Sequence, residues 1–173
     1  MDKVKEHLKN NFAIYVVLVT CLVVIGIVIG ITSKPKLETA DTTMFEEVTL
    51  TEALELFNTN DAKLLVMSVE TCTATIDYVP YLQIAQAKGR YTTYYLDLNS
   101  IDTTTEEFKL FQEKLNLEYS FYGNVDKFSA FMSNTPQTVI IKNKEQVYGH
   151  IGSISTNTLE TLTKMYGVAK WKE

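Results

Sequence analysis

Twenty consecutive residues, Phe12–Ile31 (FAIYVVLVTCLVVIGIVIGI), carry no charge, and no other feature limits so sharply what the chain can become. As a helix rising about 1.5 Å per residue, such a stretch spans roughly 30 Å, the thickness of a bilayer's hydrocarbon core. A core helix of a soluble protein rarely runs this far without a polar face. A cleaved signal peptide has a shorter apolar region and a small-x-small site after it, which Ile29-Gly30-Ile31-Thr32-Ser33 matches poorly. A lipoprotein box at Leu18-Val19-Thr20-Cys21 also fits poorly, because ten more apolar residues follow the cysteine. The expectation is an uncleaved signal-anchor. Lys3, Lys5 and Lys9 precede the span and Lys34 and Lys36 follow it, so the positive-inside rule puts residues 1–11 in the cytoplasm as a short tail. The remainder is then extracytoplasmic, on a single-pass protein of the cell membrane. The opposite orientation would place it in the cytoplasm.

A chain of 173 residues has room for the anchor and one ordinary domain. At 46% hydrophobic and 21% charged residues, it has enough apolar surface to fold. With Asp2, Glu6, Lys3, Lys5 and Lys9 set aside, 13 of the 16 basic and 19 of the 21 acidic residues remain for the domain. That balance excludes phosphate-backbone binding, which needs clustered Lys and Arg. No nucleic-acid partner is expected. The only cysteines are Cys21, inside the apolar run, and Cys72. They make neither a disulfide scaffold nor a CxxC zinc site. No phosphate loop, metal triad or serine–histidine–acid pattern is found, so no cofactor and no metal is expected.

Thr32–Met44 has proline, threonines and charges but no apolar period, and reads as a linker. Thr51–Phe57 reads as a short helix capped by Thr49 or Thr51. Lys63–Val69 is a continuous apolar run, as in a central strand buried on both faces. Thr73–Lys88 favours helix, interrupted at Pro80 and ended by Gly89. Tyr91–Leu98 is a second strand. Thr103–Leu117 is a helix with a threonine cap, early glutamates and Phe108, Leu110, Phe111 and Leu115 as its apolar positions. Asn124–Met132 reads as a short helix. Thr138–Ile141 and Gln146–Ile151 pair across the turn 142–145, and Thr156–Tyr166 is an amphipathic helix ending at Gly167. The order βα, βα, inserted helices, hairpin, helix predicts an α/β sandwich with a mixed central sheet and flanking helices. The domain is expected over 45–167, with 168–173 as a C-terminal tail.

Three segments carry a resemblance to the thioredoxin superfamily. The strand before Glu70-Thr71-Cys72-Thr73-Ala74-Thr75, with Pro80 eight residues beyond Cys72, is similar to the family's strand, W-C-G-P-C-K and helix proline. Thr135-Pro136-Gln137-Thr138-Val139-Ile140-Ile141 resembles its cis-proline segment, and a cis proline is an unusual local commitment. Gly149-His150-Ile151-Gly152-Ser153-Ile154-Ser155 resembles its glycine turn and final helix cap. The insert before Pro136 makes the chain more similar to the membrane-anchored bacteriocin transport accessory proteins. The resemblance implies a thioredoxin-like domain serving export or the envelope. Its partner would be a peptide or protein, such as an exported peptide or a transporter component. The departures are as informative. Thr75 stands for the second cysteine, Thr71 for the tryptophan and Val66 for the buried acid, so an internal dithiol cycle cannot run.

Cys72 keeps the position at a helix N-terminus, where N–H groups and the helix dipole lower a thiol pKa. Thr75 can donate a hydrogen bond to its thiolate, while Glu70 and Asp77 oppose a further negative charge. Two readings follow. In one, the domain is a non-enzymatic accessory or binding module in which Cys72 is a relic. In the other, Cys72 is the nucleophile of a monothiol thiol–disulfide oxidoreductase. In either, Thr71, Thr135 and Pro136 line the substrate groove, the cis-proline loop offering backbone groups to an extended strand. His150, Asp97 and Asn99 read as packing or turn residues, the tyrosines as core, and Glu106, Glu107 and Glu113 as a solvated helix face.

Overall fold

The computed structural model describes residues 38–171. The expected N-terminal tail, the membrane span and residues 32–37 of the linker lie outside them, and among the described residues no helix is long and apolar enough to cross a membrane.

The elements are β1 (Glu46–Glu47), α1 (Leu50–Glu55), β2 (Lys63–Ser68), α2 (Thr73–Gly89), β3 (Thr93–Asp97) and α3 (Glu106–Lys114). They continue with β4 (Glu118–Phe121), β5 (Asn124–Lys127), β6 (Gln137–Lys142), β7 (Glu145–Ile151) and α4 (Thr156–Tyr166). The sheet order is β1-β3-β2-β6-β7. β1, β3 and β2 run parallel, whereas β6 and β7 are antiparallel to their neighbours.

Alternation along the buried strands builds the two layers. Leu64, Val66, Tyr95 and Ile140 pack on one face with Tyr78, Val79, Leu82 and Ala85 of α2 and Leu159 and Leu162 of α4. Leu65, Met67, Leu96, Val139 and Ile141 pack on the other with Ala53 of α1 and Phe108, Phe111 and Leu115 around α3. Because successive side chains point to opposite faces, a strand covered on both sides needs an unbroken apolar run, and 64–67 supplies it. This is the α/β sandwich with a mixed central sheet and flanking helices that the residue pattern predicts.

Several local expectations are corrected. Pro80 lies inside α2 without breaking it, and the helix ends on Arg90 in the left-handed region (φ 54°) rather than on Gly89. Leu110 is exposed rather than core. Asn124–Met132 is not a helix: 124–127 pairs with 118–121 as a separate hairpin, and a 3-10 turn follows at Phe128–Phe131. The exposed Tyr122 and Gly123, both at positive φ, make that hairpin's turn. The turn residues outweigh the helical composition. The edge strand β1 has too few residues to show a period.

Other signals agree with the structure. Thr49 caps α1 in a reciprocal capping box with Glu52, and Gly167 (φ 71°) ends α4. Asn143 and Lys144 turn the β6–β7 hairpin at positive φ. Gly149 of β7 lies against the Phe128 ring, where a Cβ would stand 2.7 Å from ring carbons. At the ends of the domain, Ala40 donates its N–H to the Glu70 carbonyl at 3.0 Å, and Val168 bridges Ala62. The domain thus extends into residues read as linker and tail.

Three tyrosines, Tyr78, Tyr91 and Tyr95, are buried. Burial pushes each phenol well above its ordinary value near 10. Tyr78 is hydrogen-bonded to Thr138 at 2.8 Å, but the Tyr91 and Tyr95 hydroxyls have no partner among the described residues. Above about pH 10 the unfolded chain loses phenolic protons that the folded chain retains, so stability falls as pH rises there. Tyr91→Phe removes an unpartnered buried hydroxyl. It is expected to raise stability at neutral pH by on the order of 1 kcal/mol and to flatten the alkaline loss, measured by urea unfolding. Phe111→Ala opens the second core and is expected to cost about 3–5 kcal/mol in the same assay.

Candidate functional site

The site forms where β2 ends and α2 begins. β2 closes on Ser68, fully buried, and the chain turns through 69–71 with the Cys72 N–H donating to the Val69 carbonyl at 3.0 Å. Cys72 occupies the N-cap of α2 in extended geometry (φ −72°, ψ 125°). Its carbonyl accepts from the N–H groups of Thr75 at 2.9 Å and Ile76 at 3.0 Å. Its thiol is free and half-buried. A cysteine so placed faces the unsatisfied N–H groups of the first helical turn.

The groups around the sulfur lower the thiol pKa. The largest influence is a hydrogen bond from the Thr135 side chain; burial opposes it, and the Thr75 N–H, the Thr75 hydroxyl and the Ala74 N–H reinforce it. The Thr135 carbonyl lies 3.9 Å from Sγ, a long contact that favours the protonated thiol. The donors prevail, because four hydrogen bonds favour the thiolate and only burial and that distant acceptor oppose it. Glu70 and Asp77, expected to raise the pKa, are not among the groups that set it. Asp77 is exposed, and Glu70 accepts a hydrogen bond from Thr42 at 2.8 Å.

Thr75 is buried beneath Cys72, its hydroxyl hydrogen-bonded to that of Ser68. Where the Thr75 hydroxyl points its proton toward the sulfur, the Ser68 hydroxyl can donate to Thr75 Oγ1 and so orient it. Sequence reasoning does not single out Ser68, although it is the one hydroxyl in β2, directly after the apolar run 64–67. Val66 is fully buried among apolar side chains, so no acid stands at that position.

The Thr135–Pro136 bond is cis. Thr135 is half-buried and makes no backbone–backbone hydrogen bond among the described residues, which leaves its amide open to an incoming strand. Pro136 is buried and its carbonyl accepts from the Gly152 N–H at 2.8 Å, so it shapes the loop from below. Thr71 is exposed at the rim. The fold therefore gathers Cys72, Thr75 and Thr135 around one sulfur, with Pro136 under the loop and Thr71 outside it.

His150 lies on β7 opposite Thr138, where burial lowers its pKa. Asp97 caps the turn after β3 by accepting from the Asn99 N–H at 3.0 Å. Among the described residues no group of histidine, cysteine and carboxylate side chains is placed to hold a metal ion.

A three-strand parallel unit, an antiparallel hairpin after a cis proline, and a cysteine capping the helix after the central strand together define a thioredoxin-like module. No protein-family model and no curated protein matches the chain. Similar solved structures include a putative oxidoreductase with a thioredoxin fold, at 14% identity over 69% of this chain and 94% of that one (TM-score 0.49). A mutant thioredoxin from Halobacterium salinarum is 16% identical over 74% of this chain and 95% of its own (TM-score 0.48). Mitochondrial thioredoxin 3 of Saccharomyces cerevisiae is 18% identical over 72% and 95% (TM-score 0.45).

The alkylation rate of Cys72 with iodoacetamide, measured against pH in a Cys21→Ser background, is expected to show a midpoint below the free-cysteine value of about 8.5. Thr75→Val should move the midpoint up and Thr75→Ser should preserve it. Thr75→Val also leaves the Ser68 hydroxyl buried and unpartnered, at a cost of about 1–3 kcal/mol.

Proposed function

We propose that this chain is a membrane-anchored accessory module of the cell envelope that seats an extended partner segment along Thr135 and holds it through a mixed disulfide at Cys72. The observation that supports this most is the environment of the sulfur. A half-buried thiol is drawn toward the thiolate by four donors, beside a loop where Thr135 makes no backbone–backbone hydrogen bond among the described residues. A relic cysteine needs no such surroundings.

The chemistry is thiol–disulfide exchange. The Cys72 thiolate attacks one sulfur of a partner disulfide, the Cys72–partner S–S bond forms, and the partner's other sulfur leaves as thiolate. Thr75 offers a hydroxyl where a second thiol would resolve that bond, so the adduct waits for a thiol from outside the chain. Attack by a second thiolate of the partner returns Cys72 and leaves a new disulfide in the partner. The net result is then an isomerisation that needs no added oxidant. The apolar run 12–31, with its flanking lysines, supports the membrane location and an extracytoplasmic domain. There the partner would be an exported peptide or a component of its transporter.

Non-reducing electrophoresis of the full chain, alkylated rapidly in its own cells, tests the reading. The wild type is expected to carry disulfide-linked partners that Cys72→Ser abolishes. Thr75→Cys, which supplies a resolving thiol, should deplete the adducts and leave the chain with an internal 72–75 disulfide. A chain that functions normally as Cys72→Ser and never yields adducts would reduce the module to non-covalent binding.

A further inference from the structure

At the same edge of the sheet, the C-terminal ends of β1 and β3 and the turn before Cys72 enclose a recess of about 410 Å³. Four carboxylates line it, those of Glu47, Glu52, Glu70 and Asp97, and among the described residues no basic side chain does. Two of them compete for one donor: the Thr42 hydroxyl lies 2.8 Å from Glu70 and 3.2 Å from Glu47, and a hydroxyl has a single proton to give. Glu52 spends one oxygen on the α1 capping box and Asp97 one on the Asn99 N–H, so all four carboxylates keep an oxygen with spare acceptor capacity.

The wall of the recess adds an independent sign of a ligand. Tyr95 lines it, is 1% exposed, and has a hydroxyl without a hydrogen-bond partner among the described residues. Besides burial, the charges acting on that hydroxyl are those of Asp97, Glu70 and Glu47, three of the carboxylates of the recess, and then Cys72. Stacking on Phe45, with ring centroids 6.2 Å apart, holds the ring there. A buried, unpartnered hydroxyl costs free energy, so the recess is incomplete as it stands.

The geometry selects the missing group. Glu47, Glu52, Glu70 and Asp97 bring four carboxylates to a recess with no cation among its described lining residues, but they are not grouped closely enough for shared coordination of a metal ion. A guanidinium or ammonium on a flexible stem suits such spacing, because several N–H donors reach separated carboxylates together.

We propose that this recess binds an arginine or lysine side chain of the partner segment captured at Cys72, and so selects basic partners. The inference rests on the mixed-disulfide reading for its covalent step, but the binding itself needs no thiol. The acidic surplus of the domain would also draw a basic segment toward this edge.

The test uses the full chain in a Cys21→Ser background, solubilised in detergent, and short peptides whose cysteine carries a thionitrobenzoate leaving group. Arginine is placed at successive distances from the cysteine, and matched peptides have glutamine instead. Release of the coloured thiolate reports attack by Cys72. The best arginine peptide is expected to react on the order of tenfold faster than its glutamine partner at low salt, an advantage that shrinks as salt is added. Glu70→Gln and Asp97→Asn should each bring that ratio toward one, the ratio cancelling any change in Cys72 itself. A ratio of one in the unaltered chain at every spacing overturns the proposal. If neither peptide releases thiolate, the covalent reading fails, and equilibrium binding of the S-methylated arginine peptide to the Cys72→Ser chain decides the recess alone. Saturable binding that Asp97→Asn removes sustains it, and no binding overturns it.

Discussion

Strand β2 is covered on both faces, and the placement of every other element follows from that requirement. Its alternate side chains feed two separate cores, Leu64 and Val66 toward α2 and α4, Leu65 and Met67 toward α1 and α3. Its own hydrogen-bonding edges are filled by β3 in parallel and β6 in antiparallel register. A strand held this firmly ends at a defined place, and Ser68 is that end. The short turn that follows leads straight into α2 at Thr73, whose N-terminus is thereby fixed and presents Cys72 as its cap.

The site is an edge property of this arrangement. Parallel strands bring the ends of β1, β2 and β3 to one side of the sheet, so residues distant in sequence meet there: Glu47, Ser68, Cys72 and Asp97. The antiparallel return of β6 adds Thr135 from the opposite direction. Half-burial limits hydration of the sulfur while the donors of Thr135, Thr75 and Ala74 stay within reach. The same edge gathers negative charge on the Glu47 and Asp97 side. One border of the sheet therefore combines a hydrogen-bonded nucleophile with an acidic recess.

The insert between α3 and β6 is built on different physics. Its strand β5 is exposed throughout, and the hairpin is held by the aromatic side chains of β4 and by a hydrogen bond from the main sheet. Tyr119 meets Phe128 edge-on at 5.2 Å and Phe131 at 6.2 Å, and the Tyr119 hydroxyl accepts from the Ile151 N–H at 3.2 Å. Phe131 in turn offers its carbonyl to the Gln137 side chain at 2.6 Å, beside the cis proline. This chain of contacts ties the insert to the loop that faces Cys72.

Much of this was legible in the residues, where a local signal matched a local cause. The unbroken apolar run of β2, the threonine and serine caps, Gly167 and the Thr135–Pro136 pair each specify their own conformation through sterics or hydrogen bonding within a few residues. The loss of the second thiol at Thr75 is equally plain. Where tertiary contacts rather than neighbours set the outcome, the sequence alone misled or was silent. Pro80 is carried within α2 because packing against the sheet holds the helix on both sides of it. Residues 124–127 became a strand because they had 118–121 to pair with. Ser68 beneath Thr75, and Tyr95 facing carboxylates from β1, β3 and the Cys72 turn, are juxtapositions across the sheet. No spacing along the chain encodes them, since they exist only once parallel strands have been brought side by side.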